Sequence, residues 1–451
     1  MMQVERSAAG ERGSQTADPS RAAPWLLALL PCAVLVATAA RLAVDVPYWD
    51  AFEFVPLLGR FLDGNWRLWE LAAQHNEHRM VFPRLIWMLL ARATAWDTRY
   101  EVAVALAVAL ALALATVLLL ARAATRATGT PWMAPLVALL LTSLRQWENW
   151  LWGWQLQVFL SLLAVVGGLL VLAGASAPWR RQWIASLLGV VASFSYAAGL
   201  VFWPAAAPLL LLEKADRLRR MLAFGAVTTL VALLYLHNFH TIGVHPSPWL
   251  VLSAPRASAA YLLAFLGSPL VTDRDGHSLA IGLGLAGLVF SILASGLASG
   301  RLLWAPGPRS NADRACAALG ALALFAVGAA LLTALGRAGF GLSQARTSRY
   351  VALSSFLWLW VLVAGVRHAR AASGWPRAAL ALAVAAVAVR IVLASAGGAG
   401  AAQRAMADRI RGRAALLAGG PDADLALLYP DPAELRRLSA ILAAHRLSCF
   451  R

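Results

Sequence analysis

The stretch VAVALAVALALALATVLLLA, Val102–Ala121, runs for twenty residues without a charged side chain. An α-helix rises about 1.5 Å per residue, so a helix of this length covers the roughly 30 Å apolar core of a bilayer. Similar uncharged runs occur at Leu279–Gly300 and Cys316–Leu335. These runs predict that the chain crosses a membrane several times.

The composition points the same way. Of the 451 residues, 60% are hydrophobic and only 14% are charged, which is too little polar surface for a soluble protein of this size. The net charge of +17 raises the question of nucleic-acid binding. The arginines lie in short loops between hydrophobic runs, however, where the preference for positive loops on the cytoplasmic side already explains them. We therefore expect membrane lipids, and no nucleic acid, among the partners.

The alternation of hydrophobic runs and arginine-rich loops predicts an all-α polytopic membrane protein with about eleven transmembrane helices. The N-terminus and the arginine-rich loops are assigned to the cytoplasm. The predicted spans are 24–44, 100–121, 131–145, 156–175, a tight pair of short spans within Ile184–Leu212, Met221–Leu236, Leu279–Gly300, Cys316–Leu335, Tyr350–Val366 and Ala378–Ala396.

The same reading divides the chain into regions. Residues 1–23 are a disordered cytoplasmic N-terminus, 24–396 form the transmembrane domain, and 397–451 form a small C-terminal tail outside. The long first outer loop, 45–99, carries amphipathic helices at Asp50–Leu62 and Arg79–Ala93 that lie on the membrane surface. Further outer loops are predicted at 237–278 and 336–349. The first contains Tyr261–Leu270, which is too short to span. In the tail, the proline-rich turn before Ala433 predicts a helix that starts with a proline.

The first outer loop gathers acidic residues directly after the first span. Asp50 and Glu53 are three residues apart, so on a helix they share a face. A carboxylate at the membrane surface can accept a proton from an acceptor hydroxyl while a lipid-linked donor lies in the bilayer beside it. A solvated acidic loop is the alternative interpretation.

The segment QHNEHRM, residues 74–80, places His75, Glu77, His78 and Arg79 together. On a helix, the two histidines and the arginine fall on roughly one face. Histidine and glutamate so close can bind a divalent metal, orient an acceptor or serve the local structure, and the spacing lacks the His-Glu-x-x-His pattern of a zinc site. The arginine can bind a lipid phosphate through two parallel hydrogen bonds.

The segment RQWENWLWGWQLQ, Arg145–Gln157, mixes tryptophans with amides and a carboxylate. A belt of aromatic residues at the membrane interface explains the tryptophans alone. Aromatic rings that alternate with hydrogen-bonding groups also suit a sugar, whose C–H face stacks on rings. The candidate sugar-binding residues are Glu148, Asn149, Trp150, Trp152 and Gln155, together with His75, Glu77 and His78.

The segment GRAGFGLSQARTSRY places Arg337, Arg346 and Arg349 in an outer loop, against the tendency of positive charges to stay inside. Three cations in that position indicate an anionic ligand. A polyprenyl phosphate or pyrophosphate head group is the candidate at this depth.

The order of these features resembles the GT-C superfamily of membrane glycosyltransferases, which includes protein O-mannosyltransferases and the lipid A aminoarabinose transferase. The likeness covers most of the chain in topology, but in residues only short segments such as NEHR (Asn76–Arg79), ENWLWG (Glu148–Gly153) and SRY (Ser348–Tyr350). It implies a polyprenyl-phosphate-linked sugar donor, a bacterial inner (cytoplasmic) membrane location and an active site that faces the periplasm. It also implies an acidic catalytic base early in the first outer loop.

By position, that base is Asp50, with Glu53 second. Family members often show an adjacent acidic pair or a pair separated by one residue, whereas the spacing here is Asp-x-x-Glu. Asp63, Glu70 and Glu77 therefore remain alternatives for the base, and a divalent metal is an open alternative as a cofactor.

The expected activity is transfer of one hexosyl or pentosyl group to a periplasmic glycan or lipid acceptor. Arg79, Arg337, Arg346 and Arg349 would hold the phosphate and stabilise its charge as it leaves. Three alternatives stay open: an enzyme like the O-antigen polymerases or ligases, a transporter or flippase of lipid-linked sugars, and a non-enzymatic scaffold. Few charges lie within the predicted spans, which disfavours the transporter.

Overall fold

The structure is a computed structural model that describes residues 19–123, 132–241, 243, 245–304 and 310–451. The greater part of the predicted disordered N-terminus, residues 1–18, lies outside the described residues. Apart from one hairpin with strands of two residues each, the regular structure of the described part is helical.

The α-helices in chain order are α1 (Pro19–Leu42), α2 (Val55–Leu62), α3 (Val81–Thr94), α4 (Thr98–Ala123), α5 (Met133–Leu141), α6 (Trp147–Leu151), α7 (Leu156–Leu172), α8 (Pro178–Ser193), α9 (Phe202–Leu211), α10 (Arg217–Leu236), α11 (Leu250–Ser253), α12 (Pro255–Gly267), α13 (His277–Trp304), α14 (Asn311–Arg337), α15 (Leu342–Ala345), α16 (Val351–Ala371), α17 (Gly374–Ala418), α18 (Asp422–Leu425) and α19 (Pro432–Ala444). The hairpin pairs β1 (Gln74–His75) with β2 (His78–Arg79) in antiparallel register.

Eight helical segments of the described residues are long and apolar enough to cross a membrane: α1, α4, α7 together with the 3-10 turn before it (Gly153–Leu172), α10, α13, α14, α16 and α17. The chain is therefore a multi-pass membrane protein, but the predicted count of eleven spans is wrong by this measure. The other three predicted spans are shorter helices, because α5 has 9 residues, α8 has 16 and α9 has 10.

The pair α8 and α9 replaces the tight pair of short spans predicted within Ile184–Leu212. A 3-10 turn at Ala197–Val201 joins the two helices. In this turn Gly199 packs directly on the end of α8, where an added Cβ atom would lie 2.0 Å from the carbonyl oxygen of Ala192. Only glycine fits so close an approach, which explains why the chain turns here.

The ends of the helices form two polar layers, one at each end of the helix bundle. At one end of the bundle, Arg181 donates to the carbonyls of Leu172 and Gly174 and pairs with Glu213 at 2.6 Å. Gln182 and Arg220 bond to each other in the same layer. These are loops that the sequence assigned to the cytoplasm, and we call this end the basic face.

The opposite end carries the β1–β2 hairpin, and we call it the hairpin face. The loops that the sequence assigned to the outside are joined here. The Ala197 backbone N–H donates to the ring of His78 at 3.2 Å, Arg337 pairs with Glu77 at 2.6 Å and Arg349 contacts Glu148 at 3.7 Å. The helices therefore bring segments that lie far apart in sequence into one layer.

The C-terminal tail is continuous with the last span rather than separate from it. α17 contains 45 residues, which corresponds to about 67 Å and exceeds the thickness of a bilayer core. Its second half therefore extends beyond the membrane. The predicted proline-started helix is confirmed as α19, whose first turn is capped by the Asp431 side chain.

The end of the chain then folds back onto the first outer loop. Arg451 pairs with Asp45 at 2.6 Å and with Asp97 at 2.9 Å. The Trp49 backbone N–H donates to the Leu428 carbonyl at 2.9 Å. These contacts with the tail fix the position of the segment that contains Asp50.

Candidate active site

Residues 74–79, where a helical interpretation placed His75, His78 and Arg79 on one face, form a β-hairpin. His75 and His78 face each other across the two strands, with Asn76 and Glu77 in the turn. Asn76 has φ +48°, a left-handed conformation that asparagine tolerates better than most residues. The helical interpretation was wrong because this two-residue turn, and not the helical spacing, sets the direction of each side chain.

Asp50 and Glu53 lie on a 3-10 helix, Trp49–Phe54. Side chains three residues apart point the same way in this kind of helix, so both carboxylates meet the same partner. That partner is His75, whose Nε2 lies 3.6 Å from Asp50 and whose Nδ1 lies 3.3 Å from Glu53. The His75 side chain is almost fully buried, whereas both carboxylates reach the surface.

The two carboxylates differ in acidity. Burial acts to raise the pKa of Asp50, but a hydrogen bond and charge from His75, together with the charge of Arg349, hold the pKa below its ordinary value. For Glu53, burial raises the pKa, and the charge of Asp50 raises it further against the effect of His75. Asp50 is therefore the carboxylate that stays ionised most readily.

Glu77 occupies the turn of the hairpin and meets α14. Its Oε1 accepts two hydrogen bonds from Arg337, at 3.0 and 2.6 Å, and its Oε2 lies 3.7 Å from His245. Burial opposes ionisation, but the nearby charges of His78 and Arg337 lower the pKa of Glu77 to about 2. Glu77 is thus a fixed negative charge that positions Arg337.

His78 is held from two sides. Its Nδ1 accepts from the Ala197 backbone N–H, and its ring stacks on Tyr196 with a centroid distance of 4.4 Å. Burial lowers the pKa of His78 to about 4, although Glu77 acts in the opposite direction. The imidazole is therefore neutral at physiological pH and serves as a hydrogen-bond acceptor in the packing.

Arg349 comes from the turn before α16. Its Nη1 lies 3.7 Å from Glu148, while the Glu148 carboxylate also accepts from the Ser348 hydroxyl and the Arg349 backbone N–H. The charge of Arg349 also contributes to the lowered pKa of Asp50. Both residues belong to the hairpin face.

Two of the predicted phosphate-binding arginines have other partners. All three side-chain nitrogens of Arg79 donate to backbone carbonyls, those of Tyr235, Ala72 and His237. Arg346 bonds to His277 at 3.1 Å and to the Thr272 carbonyl at 2.6 Å. Arg79 therefore connects the hairpin to the end of α10, and Arg346 lies in a neighbouring cavity. Their role in phosphate binding stays a prediction.

Most of the predicted sugar-binding residues are inside the protein. Asn149, Trp150, Trp152 and Gln155 are all at most 4% exposed. Trp150, for example, stacks on Phe159 at 4.7 Å. These four residues pack between helices, because the segment is enclosed on all sides rather than lying at the membrane surface. Of the predicted sugar-binding residues in this segment, only Glu148 remains partly exposed.

Sequence reasoning missed two residues beside the site. Tyr196 covers His78, and Arg409 lies over the ring of Tyr48 with 3.9 Å to the ring centroid. Tyr196 belongs to a segment rich in hydroxyl groups, SFSYAAG, which is a weak signal. No pattern in the tail points to Arg409, because its position depends on how far α17 extends.

Within the described ranges, no group of three or more His, Cys, Asp or Glu side chains is arranged to hold a metal ion. No family model matches the chain, and neither a curated protein nor a solved structure gives a match.

Proposed function

We propose that this protein is a membrane glycosyltransferase. It moves a hexosyl or pentosyl group from a polyprenyl-phosphate-linked donor to a cell-envelope glycan or lipid, at the periplasmic face of a bacterial inner membrane. The observation that carries the proposal is that Asp50, held by His75, and Arg349, beside Glu148, both belong to the hairpin face, where the charge of Arg349 contributes to the lowered pKa of Asp50. An ionised carboxylate, a cation and the edge of the membrane are the parts that this reaction requires.

In the proposed reaction, Asp50 accepts the proton of the acceptor hydroxyl. The hydroxyl oxygen forms a bond to the anomeric carbon as the bond from that carbon to the phosphate oxygen breaks, which inverts the anomeric centre. A carboxylate with a low pKa suffices because the hydroxyl becomes acidic only as the new bond forms. His75 positions Asp50 through its 3.6 Å contact.

The leaving phosphate gains negative charge, and a cation placed beside it stabilises the transition state. Arg349 suits this role better than Arg337. Its contact with Glu148 is 3.7 Å long, whereas Arg337 holds Glu77 through two short hydrogen bonds. A phosphate can displace the weaker contact at a lower cost. Arg337 then contributes charge from a fixed position.

The assignment of the hairpin face to the periplasm rests on the arginines of the basic face and the preference of such loops for the cytoplasm. It can be tested by labelling single introduced cysteines with a membrane-impermeant maleimide. In spheroplasts, Leu68→Cys should be labelled, because Leu68 is 75% exposed on the first outer loop. Trp375→Cys, at an 80% exposed position at the start of α17, should be labelled only after lysis. The reverse pattern contradicts the assignment.

The activity is tested with the purified protein in lipid nanodiscs, defined polyprenyl-phosphate sugars and cell-envelope glycan and lipid acceptors. Asp50→Asn should reduce transfer by about 10²–10⁴-fold, the usual contribution of a general base. Asp63→Asn is the matched comparison: Asp63 is an alternative for the base, is 55% exposed and contacts only His445 among the ion pairs of the described residues, so this variant should retain most of the transfer. Equal transfer by the wild type and Asp50→Asn would remove the proposed role of Asp50.

A further inference from the structure

A polar cavity lies beside the candidate active site on the hairpin face. Its volume is about 510 Å³, and its walls include Arg145, Trp147, Glu148, Asp273, His277 and Arg346. Small-molecule sites usually measure about 300–1,000 Å³, so the cavity can hold a ligand of one or a few sugar rings.

The loop that forms one wall of this cavity is held by arginines from three distant parts of the chain. Arg145 contacts Asp273 at 3.3 Å, Arg346 donates to the Thr272 carbonyl, and Arg390 pairs with Asp275 at 2.6 Å. These contacts fix residues 271–277 against the bundle. The cavity is thus preformed, which lowers the entropy cost of binding.

The tryptophan-rich segment Arg145–Gln157 contributes only residues near its start to the walls of this cavity. Within Arg145–Gln157, every residue is buried except Trp147 and Glu148, and both of these line the cavity. Glu148 also contacts Arg349, so it stands between the cavity and the candidate active site. The only tryptophan ring of this segment that a ligand can reach therefore lies next to a carboxylate shared by the two sites.

The charged groups of the walls are paired rather than free. The carboxylates of Glu148, Asp273 and Asp275 contact the guanidinium groups of Arg349, Arg145 and Arg390, and Arg346 donates to the Thr272 carbonyl. The hydroxyl groups of Ser343 and Thr347 add further donors and acceptors. Such walls suit a neutral ligand that carries many hydroxyl groups.

We propose that this cavity binds a neutral carbohydrate, with a sugar ring stacked on Trp147 and its hydroxyl groups bonded to Asp273 and Glu148. The next step rests on the proposed function: the carbohydrate is the acceptor of the transferred sugar, and it enters the active site past Glu148. The acceptor is then a neutral glycan rather than a phosphorylated lipid.

The binding part is tested without any donor. Saturation-transfer NMR is recorded on the full-length protein in nanodiscs with maltose, lactose and α-1,6-mannobiose, and with glucose 6-phosphate as the anionic probe. At least one neutral disaccharide should receive transfer to its ring protons. Trp147→Ala and Asp273→Ala should each weaken binding roughly tenfold, since an aromatic contact and a polar anchor are lost. Trp147→Phe should retain most of it, and Trp375→Ala, at the basic face, should match the wild type.

The outcomes separate this inference from the proposed function. Binding of none of the neutral disaccharides, binding unchanged in Trp147→Ala and Asp273→Ala, or preference for the phosphorylated sugar overturns the carbohydrate site. Size-exclusion profiles that match the wild type exclude misfolding as the cause of weak binding. If disaccharides bind in the expected manner but no lipid-linked sugar is transferred, the cavity stands and the glycosyltransferase proposal fails. If transfer occurs but its KM for the acceptor is unchanged in Trp147→Ala, the acceptor role fails and the transferase proposal stands.

Discussion

Two pairs of arginines on the hairpin face, one buried and one half-buried, differ in the groups they bind. Arg79 and Arg84 donate to backbone carbonyls, six in total: Ala72, Tyr235 and His237 for the first, and Glu70, Leu71 and Ala73 for the second. Arg337 and Arg349 instead pair with the side-chain carboxylates of Glu77 and Glu148.

The difference separates structural arginines from candidate ligand-binding ones. A backbone carbonyl is part of the fold and cannot move away, so an arginine that it holds is unavailable. A carboxylate can rotate and share the cation with an incoming anion. The sequence alone shows only that arginines are present on this face, and the identity of each partner decides what each arginine can do.

The largest effect that this comparison predicts is on stability. Arg79→Ala should reduce the free energy of unfolding by at least about 4 kcal/mol, because three charge-assisted hydrogen bonds are lost and buried carbonyls are left without a donor. Unfolding by SDS titration in mixed micelles measures the change.

The matched control is Arg60→Ala on the same loop. Arg60 is 46% exposed and pairs with Glu70 at the surface, so its loss should cost no more than about 1 kcal/mol. Equal stability of Arg79→Ala and the wild type would show that Arg79 is free for another role, and would restore it as a candidate phosphate ligand.

The second prediction concerns activity. Arg349→Ala should reduce sugar transfer by about 10²–10³-fold, the range found when one group that stabilises developing negative charge is removed. Its unfolding should change little, because Glu148 keeps its hydrogen bonds from Ser348 and the backbone. Arg349→Lys should recover part of the rate, since it keeps the charge but loses the paired donors. If Arg349→Ala lost as much stability as Arg79→Ala, Arg349 would have a structural role like that of Arg79 and Arg84.

The sequence showed the coarse architecture because hydrophobic length and the placement of arginines are local properties. It separated the loops of the two faces in the arrangement that the structure shows, and it predicted the helix that starts at Pro432. It overestimated the number of spans because apolar composition does not give the length of a helix: α8 and α9 connect the two faces with only 16 and 10 residues, and α5 has 9.

The candidate site could be predicted only in part, for the same reason. The pairing of Asp50 and Glu53 on one face follows from local spacing. The pairing of Glu77 with Arg337 joins residues 260 positions apart, which no local pattern reveals. The tryptophans of Arg145–Gln157 looked like a membrane-surface belt, since burial by distant helices is invisible in a single segment.

The third prediction is a pH dependence of stability. Burial lowers the pKa of His78 from an ordinary value of 6.5 to about 4, with Arg337 and His75 acting in the same direction and Glu77 and Asp50 against it. Between pH 6.5 and 4 the unfolded chain binds a proton that the folded chain does not. Acid therefore favours unfolding in this window, by up to about 3 kcal/mol.

The variant His78→Asn isolates this contribution, because an asparagine oxygen can still accept the hydrogen bond of the Ala197 N–H. It should flatten the loss of stability between pH 6.5 and 4. Glu77, whose pKa is lowered to about 2, acts in a separate window: its contribution is complete above about pH 4.5 and is lost as the pH falls towards 2. An identical pH profile in the wild type and His78→Asn would contradict the assignment of the upper window to His78.

The smallest effect is expected at Glu53, and it tests which of the two neighbouring carboxylates is the base. Burial raises the pKa of Glu53, its side chain is 45% exposed, and it shares His75 with Asp50. Glu53→Gln removes one negative charge beside Asp50, which makes Asp50 easier to ionise and a slightly weaker base. We expect transfer at pH 7 to fall by less than about tenfold, against the far larger loss from Asp50→Asn. Initial rates at saturating donor, with both variants measured beside the wild type, give the comparison. A deeper loss in Glu53→Gln than in Asp50→Asn would exchange the roles of the two residues.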